Sequence, residues 1–163
     1  MHSEVHDKET FQIILSSRGK NVTNLGALNA GIPANINTLK YYCNWPAMLP
    51  IEKYTKYSCS FVFKSENYAG ILTNNGFVNV DIGRTQIFDG TTQSSNLGII
   101  YPVALNVTAG SQSSFYNSTN NDNNSVIIYP TQNIVTVTLN TFAGAAMANL
   151  PNYCLILNLS PCI

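Results

Sequence analysis

Hydrophobic and polar side chains alternate with a period of two along much of this chain, the pattern of strands that bury one face. The clearest case is Lys56 to Lys64, where Tyr57, Cys59, Phe61 and Phe63 fall on one face and Ser58, Ser60 and Val62 on the other. A strand of this kind turns its rings toward a facing sheet. The same alternation predicts strands over about Thr10 to Leu15, Phe77 to Ile82 and Ile134 to Leu139. Shorter apolar runs predict others at Leu39 to Trp45, Tyr68 to Leu72, Arg84 to Phe88, Leu97 to Val107, Ser125 to Tyr129 and Tyr153 to Leu159.

Turn chemistry separates these runs. Pro46 and Pro50 stop the second strand, since proline donates nothing to a ladder, and Pro102 marks an edge or a bulge. Asn74-Asn75-Gly76 carries the Asn-Gly pair of tight hairpins. Ser16 to Thr38 and Thr108 to Asn124, both polar and rich in asparagine, read as long exposed loops. Ala143 to Leu150 alone has helical character, enough for a turn or two. Eight or nine short strands without a covering amphipathic helix predict an all-β, antiparallel β-sandwich. The length of 163 residues suits a single jelly roll of about eight strands better than an immunoglobulin domain. The expected organisation is a flexible N-terminal tail over 1–9 and one domain over 10–163, with long loops at 16–38 and 108–124.

Composition narrows the chemistry. Charged residues are only 10%, while 22 Asn, 14 Ser and 14 Thr make up 50 of the 163 residues. Eight basic residues balance eight acidic ones, so no net field draws the chain to nucleic acid or an anionic membrane. No apolar run approaches the roughly 18 residues of a membrane-spanning helix, and the first seven residues lack the basic and apolar regions of a signal peptide. After Arg84 the only ionised side chains are Asp89 and Asp122.

Candidate sites are few. His2 and His6 could chelate a metal with Glu4 or Asp7, but no other histidine completes the set, so no metal and no cofactor is expected. Both histidines lie in the tail and no GxSxG elbow is present, which argues against a nucleophilic triad. Glu52, Glu66, Asp81, Asp89 and Asp122 stand beside turns or strand ends, where solvated roles are the expectation. Arg18-Gly19-Lys20 is too short for a nucleic-acid patch. Cys43, Cys59, Cys154 and Cys162 lack metal-site spacing and read as reduced, mostly buried thiols. The five Asn-x-Ser/Thr triplets, at Asn21, Asn106, Asn117, Asn123 and Asn158, follow from composition rather than glycosylation. The aromatic group Tyr41, Tyr42, Trp45, Tyr54 and Tyr57 reads as core and rim, or as a contact platform. Catalytic residues are expected to be absent, and Trp45, Tyr54 and Tyr116 are the candidates for interface or stacking roles.

The run YYCNWPAMLPIEKYTKYSCSFVFKS resembles a segment of structural proteins of large icosahedral (nucleocytoplasmic) DNA viruses. There an early strand ending in Asn-Trp leads through a Leu-Pro turn into an aromatic strand closing on Ser. The matching residues are Asn44, Trp45, Leu49, Pro50, Tyr54, Tyr57, Phe61, Phe63 and Ser65. The opening FQIILSSRGKN is similar to the first strand and arm of the same proteins, so the likeness covers about 65 residues. It implies a jelly-roll capsid component, a minor capsid or penton/vertex protein assembled into virions in the host cytoplasm, with no catalytic residues. Its partners would be other capsid proteins and further copies of itself, contacted through the 16–38 arm and the 108–124 loop. The competing expectation is a carbohydrate- or receptor-binding β-sandwich module, lectin-like or fibre-head-like, stacking sugars on Trp45, Tyr54 or Tyr116.

Overall fold

The computed structural model describes residues 9–17, 38–65, 76–102, 114–118, 125–145 and 153–162. The tail 1–8, residues 18–37 of the expected arm, the expected strand 68–72 and residues 103–113 and 119–124 lie outside the described residues.

The described chain is almost entirely antiparallel β-structure. Its strands are β1 (Phe11–Ser16), β2 (Thr38–Tyr42), β3 (Tyr57–Ser65), β4 (Gly76–Asp81), β5 (Gly83–Thr85), β6 (Phe88–Asp89), β7 (Thr92–Gln93), β8 (Asn96–Pro102), β9 (Ser114–Ser118), β10 (Val126–Pro130), β11 (Ile134–Thr141) and β12 (Tyr153–Pro161). One helical turn, α1 (Trp45–Met48), follows β2.

Three local expectations are corrected. The second strand ends at Tyr42 rather than Trp45, because Trp45 begins a helical turn in which Pro46 comes second, where its fixed φ fits and its missing N–H costs nothing. Ser114–Ser118, inside the expected 108–124 loop, is a strand that pairs with both β3 and β8. The expected strand Arg84 to Phe88 divides into β5 and one arm of the β6–β7 hairpin, turned at Gly90 with φ +64°. Of the expected helical segment, residues 143–145 form a turn and the remainder lies outside the described residues.

Strand pairing is nested. β1 pairs with β12, β2 with β11, β3 with β10 and β4 with β8, so early strands meet late ones in reverse order. Lateral pairings join these couples into one hydrogen-bonded path, β1-β12-β3-β9-β8-β4-β11-β2. β3 is long enough to serve two neighbours along one edge, with Tyr57 to Cys59 against β10 and Phe63 to Ser65 against β9. β10 also pairs with β5, so these two short strands branch from β3 off the main path.

Period-two alternation then fills the interior. Ile13 and Leu15, Leu39 and Tyr41, Tyr57 to Phe63 at alternate positions, Val78 and Val80, Val135 to Leu139, and Tyr153 to Leu159 all join a single buried cluster. Tyr41 of β2 and Tyr153 of β12 bring their hydroxyls near one another inside it. Neither hydroxyl reaches hydrogen-bonding geometry, although each influences the other's ionisation, so two polar atoms stand unsatisfied in apolar surroundings. Burial raises both their pKa values.

Gly83 makes the corner between β4 and β5. Its φ of +134° is open to glycine and costly for other residues. An added Cβ would also lie 2.5 Å from the Tyr129 carbonyl oxygen and 2.9 Å from the Thr131 nitrogen, both backbone atoms that cannot swing aside. The corner lets one chain segment pair with β8 and β11 and then with β10. Gly83→Ala is expected to destabilise the protein by about 3 kcal/mol, read as a lower urea midpoint; an unchanged midpoint would show that the corner relaxes freely.

Candidate interaction surfaces

At one end of the sandwich the connections 43–56, 82–95 and 131–133 meet in a hydrogen-bonded network. The Cys43 N–H donates to the Asn133 carbonyl at 2.7 Å, and the Thr131 and Gln132 N–H groups share the Ile82 carbonyl at 3.1 and 3.3 Å. The Thr85 hydroxyl, buried, donates to the Ser94 carbonyl at 2.6 Å. The Arg84 guanidinium lies 5.0 Å from the Tyr129 ring centroid, and Gln86 Nε2 donates to the Tyr129 hydroxyl at 3.0 Å.

This network settles the aromatic candidates. Trp45 is only 2% exposed and its Nε1–H donates to the Gln132 carbonyl at 2.7 Å, so its ring belongs to the core and presents no face to a sugar. That corrects the stacking role expected of it: a large ring beside a short loop is worth more buried than exposed. Tyr41 and Tyr57 are buried as well, whereas Tyr42 is exposed. Tyr54 is half-buried against the core, its N–H bonded to the Pro50 carbonyl and its own carbonyl accepting from the Tyr57 hydroxyl at 3.3 Å. The Lys53 ammonium stands 5.1 Å from the Tyr54 ring centroid. Tyr116 lies on β9, opposite Phe63 on one side and Pro102 on the other. Trp45 therefore occupies a core position, Tyr54 a rim position and Tyr116 a place on β9 between β3 and β8.

Ionisable groups are scattered. Glu52, Asp81 and Asp89 are exposed on separate elements, and Glu66 and Asp122 lie outside the described residues, as do His2, His6, Arg18 and Lys20. Among the described residues no group of three or more His, Cys, Asp or Glu side chains could hold a metal ion. No described helix is long and apolar enough to cross a membrane. All four cysteines are free thiols, with Cys43 and Cys59 buried and Cys154 and Cys162 half-buried. Burial pushes the Cys43 thiol up to about 11 and the Cys59 thiol up to about 12, so neither is a nucleophile at neutral pH.

What the outer faces offer is contact surface. Across β1, β12 and β3 the register aligns Ile14, Ile156 and Val62 in one apolar row. Ile14 is 58% exposed and Val62 38%. Beside this row run uncharged polar ones: Gln12 Nε2 donates to Asn158 Oδ1 at 3.1 Å, Ser60 continues that row, and the Thr10 and Ser160 hydroxyls meet at 3.2 Å. On the other face Tyr42 stands opposite Ile134, both exposed, and Phe77 stacks on the exposed Phe142 with centroids 4.8 Å apart. Phe88, on the β6–β7 hairpin, is 67% exposed. The period-two alternation marks Ile14 and Val62 as outward residues in the sequence, whereas Phe88 and Phe142 carry no such mark, because an isolated outward apolar residue looks the same in sequence as a core one.

No protein-family model, curated protein or solved structure matches this chain.

Proposed function

We propose that the chain is a jelly-roll structural protein of a virion, a minor capsid or penton/vertex component that works through protein–protein contacts and not through catalysis. The observation that carries the fold part of this reading is the nesting of β1 with β12, β2 with β11, β3 with β10 and β4 with β8. A long hairpin of four nested couples, rolled so that its halves share one core, is the plan of the jelly roll, an architecture used by viral capsids, lectins and cupins. In that plan β1-β12-β3-β10 and β2-β11-β4-β8 are the two four-stranded layers.

Outer faces that, beside the exposed Lys40, Lys64 and Asp81, are made mostly of Asn, Ser, Thr and Gln with a few apolar positions support an assembly role. Such faces form wet, hydrogen-bonded contacts without the desolvation cost of buried ions. The resemblance of residues 42–65 to capsid proteins of large DNA viruses points the same way. The sugar-binding alternative is weakened by the burial of Trp45, which leaves Tyr54 as a described aromatic rim residue.

Quantitative mass spectrometry of purified particles from the source of the sequence tests the proposal. The expected result is a fixed copy number per particle that survives salt washing. Recovery of the protein in the soluble fraction alone, or saturable binding of the purified protein on a glycan array, would overturn it in favour of the second reading.

A further inference from the structure

Away from the main path, β3, β10 and β5 lie side by side in antiparallel register. Tyr129 of β10 stands opposite Arg84 of β5, and Lys56 lies one step beyond the Ile128–Tyr57 pair, on the other flank of Tyr129. All three point outward, because their chain neighbours Ile128, Thr85 and Tyr57 are buried and successive side chains alternate between faces. The outer row is therefore cation, ring, cation. With strands about 4.8 Å apart, its two ends stand about 10 Å from one another at the backbone.

The row is organised by its own contacts. The Arg84 guanidinium lies 5.0 Å from the Tyr129 ring centroid, and Gln86 Nε2 donates to the Tyr129 hydroxyl at 3.0 Å. Stacking engages the flat face of a guanidinium and leaves its N–H edge for a planar acceptor. Among the described residues neither Arg84 nor Lys56 is paired with a carboxylate. The surrounding connections do not balance them either, since over 43–56, 82–95 and 131–133 Lys53, Lys56 and Arg84 meet only Glu52 and Asp89. Arg84 is the only cation after Lys64 in a chain with 10% charged residues. Its place on the ring is the more telling for that scarcity.

We propose that this row docks an extended acidic segment of a partner protein, with one carboxylate on the Arg84 fork and a second on Lys56. The donors select the chemistry. The guanidinium and ammonium N–H groups and the Tyr129 O–H all donate, so the complementary group is an anionic acceptor, and a carboxylate meets the fork with two parallel hydrogen bonds. Three residues of an extended chain cover about 10 Å, the span of the row. A nucleic acid fits less well, because the formal net charge of zero supplies no field for a phosphate backbone to follow. An acidic sugar fits less well too, because Tyr129 is half-buried and its ring serves the guanidinium. This inference does not rest on the virion reading.

Calorimetric titration of the full chain at low salt with an end-capped hexaglutamate peptide tests it, beside a heparin hexasaccharide as the sulfated-sugar arm. The variants are Arg84→Gln, Arg84→Lys and Lys56→Gln, with Lys40→Gln on β2 removing the same charge from another part of the fold. Saturable one-to-one binding of the peptide is expected, weakened at least about tenfold by Arg84→Gln. Arg84→Lys keeps the charge but not the fork and should also weaken it, Lys56→Gln should weaken it further than Lys40→Gln, and Lys40→Gln should leave it intact. Circular dichroism checks that each variant is folded, and if Arg84→Gln is not, Lys56→Gln carries the test. No saturable binding, equal weakening by Lys40→Gln, or tighter binding of the hexasaccharide than of the peptide would each overturn the proposal.

Discussion

Raising the pH from 9 to 12 is expected to unfold the protein, and the two buried thiols are the main reason. Cys43 and Cys59 ionise near 9.0 when unconstrained, whereas burial holds them up to about 11 and about 12 in the folded chain. Between those values the unfolded state has lost protons that the native state keeps, so stability falls as pH rises. The contribution is complete below pH 9 and disappears through the folded values. At about 1.4 kcal/mol per pH unit and group, Cys43 accounts for about 3 kcal/mol and Cys59 for about 4 kcal/mol. Tyr41, Tyr57 and Tyr153, each raised above 10.0 first by burial, steepen the decline further. Losses of that size exceed the stability of a domain at the lower end of the ordinary range, about 5–15 kcal/mol, and remove about half of it at the upper end. Urea unfolding under reducing conditions at pH 7, 9, 10 and 11 measures the slope, and Cys59→Val should flatten it. A level profile to pH 11 would mean that the thiols are not desolvated as the fold places them.

Phe61→Ala is expected to cost about 3–5 kcal/mol, the usual penalty for an aromatic cavity in a packed core. The ring is 2% exposed in the middle of β3, opposite Leu157 of β12. For a domain of this length the loss corresponds to a fall in melting temperature of roughly 6–20 °C. The neighbouring change Val62→Ala removes a side chain from the outer face and should cost less than about 1 kcal/mol. Differential scanning calorimetry of the two variants tests the assignment of faces along β3, since equal effects would contradict the alternation on which the whole fold is built.

That alternation was the most legible part of the molecule. Tyr57, Cys59, Phe61 and Phe63 were readable as one buried face because a strand has a single inside, and the same holds for Val78, Val80 and Ile82. β9 was missed because Ser114, Asn117 and Ser118 resemble a loop, although Phe115 and Tyr116 between them were a signal. The helical turn at Trp45 was missed because proline was read as a stop and not as a residue of a first helical turn. For Trp45 the sequence left two readings open, core or contact platform, because the preference of aromatic residues for interfaces and their preference for cores make the same mark in a sequence; its burial fits the first. The nested pairings were beyond reach, since Phe11 opposite Leu159 is decided by how two distant segments share one core, which no local pattern records. The surface row of Ile14, Ile156 and Val62 inherits that limit, because it exists only through the register of three strands.

The nesting of β1 with β12 also sets a timetable for synthesis. Gln12 and its partner Asn158 are separated by 146 positions. At about 5–20 residues per second, on the order of ten seconds pass between the emergence of the first strand and that of its mate. Throughout that interval β1 lacks the strand it pairs with, and its uncharged apolar face is available to whatever the nascent chain meets. β1 is therefore the described strand with the greatest need of a chaperone before the domain closes.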